Sequence, residues 1–244
     1  MADTIAQVSS SIEALTKEFE VITNNLANTS TVGYKRRCNT FSRLLEEQQS
    51  GEEAEPTYEV ALDTKFDFSQ GNVVETGRPL DFALYGKGFF VIETPEGPLY
   101  TRNGTFSTDR NGQIVDMEGR MVAGEAGPIT VPAGVGVSQI TISNDGTVSA
   151  KGTPTGKFRL VNFGNNESKL IPVGGNCFKM GEEGVEPVKA EHIVVKQGYQ
   201  ESSNVNIVDE LVDMIMVSRL YEANMKFLAA QKETSSSIMS VAMG

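Results

Sequence analysis

The chain has 244 residues, 39% of them hydrophobic and 22% charged, with a formal net charge of −11. That is long enough to bury a β-rich core and an α-helical one, but no run of about 18 apolar residues exists to span a bilayer. The acidity excludes a broad nucleic-acid surface, because binding phosphates needs clustered cations.

The predicted elements begin with a helix over Thr4–Ala27, capped by Asp3 or Thr4. Ile5, Val8, Ile12, Leu15, Phe19, Ile22 and Leu26 recur at alternating steps of three and four. That spacing is an a/d seam, the narrow stripe by which one helix lies along another. Glu13, Lys17, Glu18 and Glu20 interrupt any continuous apolar h-region, so a Sec-type signal peptide is not expected. The helix should stop in Asn28–Gly33, where small polar side chains compete for backbone hydrogen bonds and Gly33 permits positive φ.

Tyr34–Leu45 reads as extended chain or a second short helix. Its cations Lys35, Arg36, Arg37 and Arg43 read as a solvated loop, or as partners for Glu46, Glu47, Glu52, Glu53 and Glu55. Gln48–Pro56 is a polar connector.

From Tyr58 the apolar period changes to two. Strands are predicted around Tyr58–Leu62, Leu80–Tyr85, Phe89–Glu93 and Leu99–Arg102, then at Ile129–Val131, Gln139–Ile142, Thr147–Ser149, Lys157–Val161 and Val194–Gln197. Asn103-Gly104, Asn111-Gly112 and Asp145-Gly146 are hairpin signals, because a type I′ turn needs positive φ at both positions. Sequence-local hairpins in this number imply an antiparallel β domain, barrel-like or sandwich.

A second helix is predicted from Val205 or Asn206 to Met239, with Asn204 as N-cap and Asp209 and Glu210 near its positive end. Its seam runs Ile207, Leu211, Met214, Ser218, Tyr221, Met225, Leu228. Val208, Val212 and Ile215 widen that stripe enough for more than one neighbour. The expected fold class is therefore α+β: long terminal helices paired in a coiled-coil-like core domain, with a central antiparallel β-rich domain. The expected boundaries are 1–45 and 201–244 for the helical core, 46–75 for connector and first strands, and 76–200 for the β domain.

No catalytic, cofactor or metal site is expected. His192 is the only imidazole, and Cys38 and Cys177 lack CxxC spacing, so neither a zinc set nor a paired nucleophile is predicted. Gly86-Lys87-Gly88 is a fragment of a phosphate loop, but it precedes a strand rather than a helix. Asp109 and Asp116 are the carboxylates that a small glycosidase would call on, yet no nucleophile–base arrangement accompanies them. A small-molecule substrate is not expected.

Three separated motifs carry a resemblance. Asn24-Asn25-Leu26-Ala27-Asn28-Thr29-Ser30-Thr31-Val32-Gly33-Tyr34-Lys35 closely resembles the N-terminal signature of bacterial flagellar rod and hook proteins, with Tyr34 in place of the commoner Phe. Gly198–Asn206, Glu210–Ile215 and Arg219–Asn224 are similar to the C-terminal signature. Gly77–Leu84, Gly86–Phe90 and Tyr100–Gly104 look like the central domain. The length leaves no room for the large outer domains of a hook protein. Val122–Pro132 is most similar to proximal members of the rod, with distal members, whose C-terminal signature is also matched, as the close alternative.

The resemblance implies a subunit of the flagellar drive shaft in the periplasm. Its terminal helices would build an inner tube, with the β domain outside. Its partners would be copies of itself and other rod subunits, and its exit route the flagellar type III export apparatus. An adaptor or chaperone with coiled-coil arms would share the helices but not the three ordered motifs. Burying one seam contributes about as much as ordering its helix costs, so the helices are expected to order on assembly.

Overall fold

A computed structural model describes residues 2–45, 58–181 and 185–243, with side-chain environments for 7–39, 64–181 and 185–234. The connector Gln48–Pro56 and the acidic run Glu46–Glu55 lie outside the described residues. The polypeptide forms two compact units. One comprises residues 1–27, 37–67 and 206–244; the other comprises 28–36 and 68–205.

The first unit contains two helices, α1 (Ala2–Ala27) and α2 (Ile207–Met243), which pack against each other. Asp3 and Thr4 already lie inside α1, so neither is its N-cap. Asn204 is not the cap of α2 either. Asn206 takes that place, its Oδ1 accepting from the Val208 amide at 3.1 Å, which satisfies one of the donors left open at a helix start.

Tyr34–Leu45, ambiguous by pattern, resolves as a strand over Arg37–Leu45. It pairs antiparallel with Tyr58–Phe66 along nine residues, from Arg37↔Phe66 to Leu45↔Tyr58. Pairing decides the ambiguity, because each strand supplies the backbone partners that the other lacks. Asn39 Nδ2 donates to Glu18 Oε2 at 2.8 Å, tying this ribbon to α1.

The second unit is β-rich, and all of its strand pairs are antiparallel. Phe89–Thr94 is its central strand. It pairs with Gly97–Thr101 along one edge and with Leu160–Asn162 and Met121–Gly124 along the other. Cys177–Met180 and Leu170–Gly174 extend the sheet beyond Gly97–Thr101. Ile140–Ile142, Thr147–Ala150 and Thr153–Lys157 form a separate three-stranded sheet. The core is built around Phe82, Phe90, Phe106 and Phe158, whose ring centroids lie 5.2–6.0 Å apart in tilted and edge-on pairs, the arrangement favoured by the ring quadrupole.

The turns depart from the type I′ expectation. Asn111-Gly112 and Asp145-Gly146 do close hairpins, but only the glycine has positive φ. Gly112 N donates to Asp109 O at 3.1 Å and Asp109 N to Gln113 O at 2.9 Å, a three-residue loop with a glycine bulge. Asp116–Arg120 repeats these two bonds at the same lengths. Asn103-Gly104 forms no hairpin turn, and neither residue has positive φ. Gly104 is small for a different reason: a Cβ there would lie 1.9 Å from Phe82 O. Ile129–Val131 makes one isolated bridge, Gln113↔Thr130, rather than a strand.

Candidate interaction surface

The signature loop Asn28–Arg36 folds as part of the β-rich unit. Thr31 N donates to Asn28 O at 3.1 Å and Thr31 Oγ1 to Asn28 Oδ1 at 3.1 Å, closing the turn that ends α1. Gly33 then takes φ +69°, and a Cβ on it would sit 2.5 Å from Asn103 N. Both the backbone angle and the space require glycine. Gly33 N donates to Glu201 O at 2.7 Å, while Tyr34 and Lys35 turn inward and are buried.

Lys35 is therefore not part of a solvated basic loop. Its Nζ donates to Glu201 Oε1 at 2.7 Å and to Ser69 O at 2.6 Å. Glu201 also takes Arg102, with Nε and Nη2 within 2.9 Å of Oε2. All three side chains are at most 4% exposed. One carboxylate lies between two cations, and carbonyl oxygens face the remaining positive charge. Arg102 Nη1 donates to Gly86 O at 2.8 Å and to Gly88 O at 2.6 Å.

Gly86-Lys87-Gly88 thus presents carbonyls to a guanidinium, the opposite polarity from a phosphate cradle. The motifs quoted at 33–35, 86–88, 102–104 and 198–204 meet here. Their sequence separations of 99 for Arg102–Glu201 and 166 for Lys35–Glu201 kept Arg102 and Glu201 from being assigned roles.

Asp109 and Asp116 are both engaged by amides of their own loops. Asp109 Oδ1 accepts from the amides of Asn111 and Gln113, and Asp116 Oδ1 from those of Glu118 and Arg120. Each carboxylate closes its own loop. Cys177 is buried, and burial pushes its thiol above the usual range, so it is not an activated thiolate. Cys38 and Cys177 are thiols, not a disulfide.

In the helical unit a second polar cluster uses Asn25, fully buried near the end of α1. Asn25 Oδ1 accepts from Arg37 N at 2.9 Å, and its Nδ2 donates to Arg37 O at 2.9 Å and Glu210 Oε2 at 3.2 Å. The sequence flagged Asn25 as signature but missed Glu210 as its partner.

On α1, Ile22 is buried, Val8, Ile12, Leu15 and Leu26 are half-buried, and Phe19 is 41% exposed. Ala27 is exposed, and Ile5 lies in the helix outside the described side-chain environments. Leu15, Phe19, Val217 and Tyr221 line a groove of about 300 Å³ between α1 and α2.

On α2 the covered stripe runs through Glu210, Met214, Val217, Asn224, Leu228 and Gln231. It shares Met214 and Leu228 with the seam read from sequence. The other apolar seam positions, Ile207, Leu211, Tyr221 and Met225, are 40–52% exposed. Val208, Val212, Ile215, Met216, Leu220 and Phe227 are exposed beside them. The helix thus uses one stripe within the chain and leaves a broader apolar surface uncovered.

Three family models match the chain. The flagella basal body rod protein model covers residues 10–35, the flagellar hook protein FlgE/F/G D1 domain 83–150, and the flagellar basal body rod FlgEFG protein C-terminal region 196–241. The flagellar basal-body rod protein FlgG of Buchnera aphidicola subsp. Acyrthosiphon pisum is 32% identical, over 91% of this chain and 93% of its own length. FlgG of Caulobacter vibrioides is 36% identical over 86% and 88% of the two chains. FlgF of Escherichia coli K12 is 34% identical over 86% of each.

Proposed function

Because the chain belongs to the flagellar basal-body rod protein family, and is a structural subunit of that rod, we propose that it occupies the proximal segment and is held there by its two terminal helices. The observation that carries assembly through the helices is the exposed apolar surface of α2, from Ile207 to Phe227. Contiguous exposed apolar side chains of this kind mark an interface.

In the assembled rod α1 and α2 act as a coiled-coil-like pair. Seam residues from Ile5 to Leu26 and from Ile207 to Leu228 meet neighbouring copies and other rod subunits. One head-to-tail contact repeated by a fixed screw operation builds a tube, and each Leu- or Phe-sized side chain buried contributes roughly 1.5–3 kcal/mol. The tube carries torque through the periplasm and performs no catalysis. Subunits reach it through the flagellar type III export apparatus.

Relatives named FlgG and FlgF match at similar identity, so the choice of segment rests on the likeness of Val122–Pro132 to proximal rod members. A side-chain-resolution cryo-EM map of the basal body tests it. Density for this chain at the base of the rod supports the proximal position; density only near the hook would transfer it to the distal segment. Absence from the axial structure would remove the assembly reading altogether.

A further inference from the structure

We propose that the buried Lys35–Glu201–Arg102 triad is a mechanical fastener, pinning the points where the chain enters and leaves the β-rich unit so that segment 28–36 stays with that unit under load. The load itself rests on the rod-subunit reading; the fastening does not.

The chain enters this unit at Asn28, leaves after Arg36, returns at Phe68 and leaves again after Val205. Side chains beside three of these four points are bonded to one another. Lys35, at the first exit, reaches Ser69 O at the return and Glu201 near the second exit. Asn204 Oδ1 accepts from Arg36 N at 2.7 Å, and its Nδ2 donates to Ser69 O and Oγ at 3.2 and 3.1 Å. Glu201 Oε1 accepts from Gly71 N at 3.1 Å, and Arg102 anchors the same carboxylate to the sheet interior.

Packed apolar side chains of similar volume would hold these segments about as stably. They would also let them slide, because dispersion contacts are weakly directional. Charge-assisted hydrogen bonds are strong and directional, and they weaken steeply as the donor–hydrogen–acceptor angle closes. A buried triad at the chain crossings therefore resists shear where a greasy contact would creep.

The test is residue-resolved hydrogen exchange on the full-length soluble subunit, with the core amide of Phe106, bonded to Leu80 O at 3.0 Å, as reference. In the natural chain the Gly33 and Arg36 amides should be protected to within about tenfold of Phe106; exchange at the rate of open loops would overturn the proposal. The double variant Lys35→Met, Glu201→Gln keeps the cluster's net charge at one positive. It should lower protection at Gly33 and Arg36 at least tenfold more than at Phe106. Equal loss at all three would make the triad a general stabiliser and sink the fastener.

Cells carrying the double variant should swim normally in dilute medium and slow disproportionately as viscosity rises. Viscosity dependence equal to the parent would also count against it. Relocation of the protein to the distal rod would leave all these results unchanged.

Discussion

Asn25 and Glu210, 185 positions apart, share a hydrogen bond of 3.2 Å with both side chains completely buried. Asn25 also holds both backbone groups of Arg37, so one amide joins the end of α1, the start of the ribbon strand and the first turn of α2. An asparagine suits this place because it donates and accepts at once.

Asn25→Ala leaves the half-buried Arg37 N–H and C=O without this partner. Each such loss costs about 1–3 kcal/mol. Thermal unfolding followed by the helical far-UV signal should show a destabilisation of at least about 2 kcal/mol. Asn25→Asp should do no better, since it sets a second carboxylate beside Glu210. A shift in the alanine variant below about 0.5 kcal/mol, the range of unremarkable surface changes, would mean the cluster is incidental.

Gly33→Val puts a β-branched side chain at φ +69° and a Cβ 2.5 Å from the Asn103 backbone. The left-handed conformation alone costs about 1–2 kcal/mol, and backbone cannot yield as a flexible side chain does. Unfolding of the β-rich unit should move by at least about 2 kcal/mol, with motility impaired. Gly33→Ala should fall between. An unchanged melting curve and normal swimming would show that the turn tolerates what its geometry forbids.

Leu211 and Leu15 separate assembly from folding. Leu211 is 46% exposed on α2, so Leu211→Asp should change the isolated subunit by no more than about 0.5 kcal/mol and still abolish motility. Leu15 lines the groove with Val217, so Leu15→Asp should block assembly and also loosen the helical unit, leaving the β-rich unit folded. Near-UV circular dichroism and recovery of intact basal bodies read the two effects. Full motility in both variants would refute the seams as subunit contacts.

The local patterns were legible where one period acts alone. Steps of three and four predict both helices, and the unbroken apolar run Phe89–Ile92 after Gly88 marks the strand Phe89–Thr94. The register of α2 was less legible, because apolar residues surround much of the helix and the inner stripe includes Glu210 and Asn224, which no hydrophobic count selects. The turns failed for a specific reason. Asn-Gly and Asp-Gly read as two-residue loops, but Asp109 and Ser143, each two residues before the Asn or Asp, close longer ones. The Lys35–Glu201–Arg102 triad was invisible in one dimension, since charge bought in three distant motifs carries no spacing rule.

Asp145 supplies a pH test. A hydrogen bond from Lys157 Nζ at 2.9 Å, together with two from Thr147, pulls its carboxyl to about 2 from an ordinary 3.8. A depressed folded-state value contributes stability above the unfolded value and loses it as pH falls from about 4 toward 2. Lys157 is raised by the same contact, so its share is present below its ordinary range and fades as pH rises beyond it. The pair is largely exposed, so the effect is small and weakened by salt. Asp145→Asn should destabilise the β-rich unit at pH 6 more than at pH 2, and the gap should narrow at high ionic strength. An identical penalty at both pH values would assign the role of Asp145 to its turn alone.

The terminal helices should be the least protected part of the free subunit. Along α1 the residues toward solvent include Gln7, Ser9, Ser11, Glu13, Lys17 and Phe19, and between Ile207 and Phe227 α2 leaves most of its apolar side chains uncovered. The Phe82–Phe90–Phe106–Phe158 core, by contrast, buries every ring to 1% exposure or less. Backbone ordering costs about 1–2 kcal/mol per residue, which a single shared stripe offsets poorly and a set of neighbours offsets well. Hydrogen exchange on the monomer should therefore be fast across residues 5–26 and slow in Phe89–Thr94, and both helices should become protected when subunits polymerise. Protection of residues 5–26 in a dilute monomer equal to that of the β core would show that the helices need no neighbours to fold.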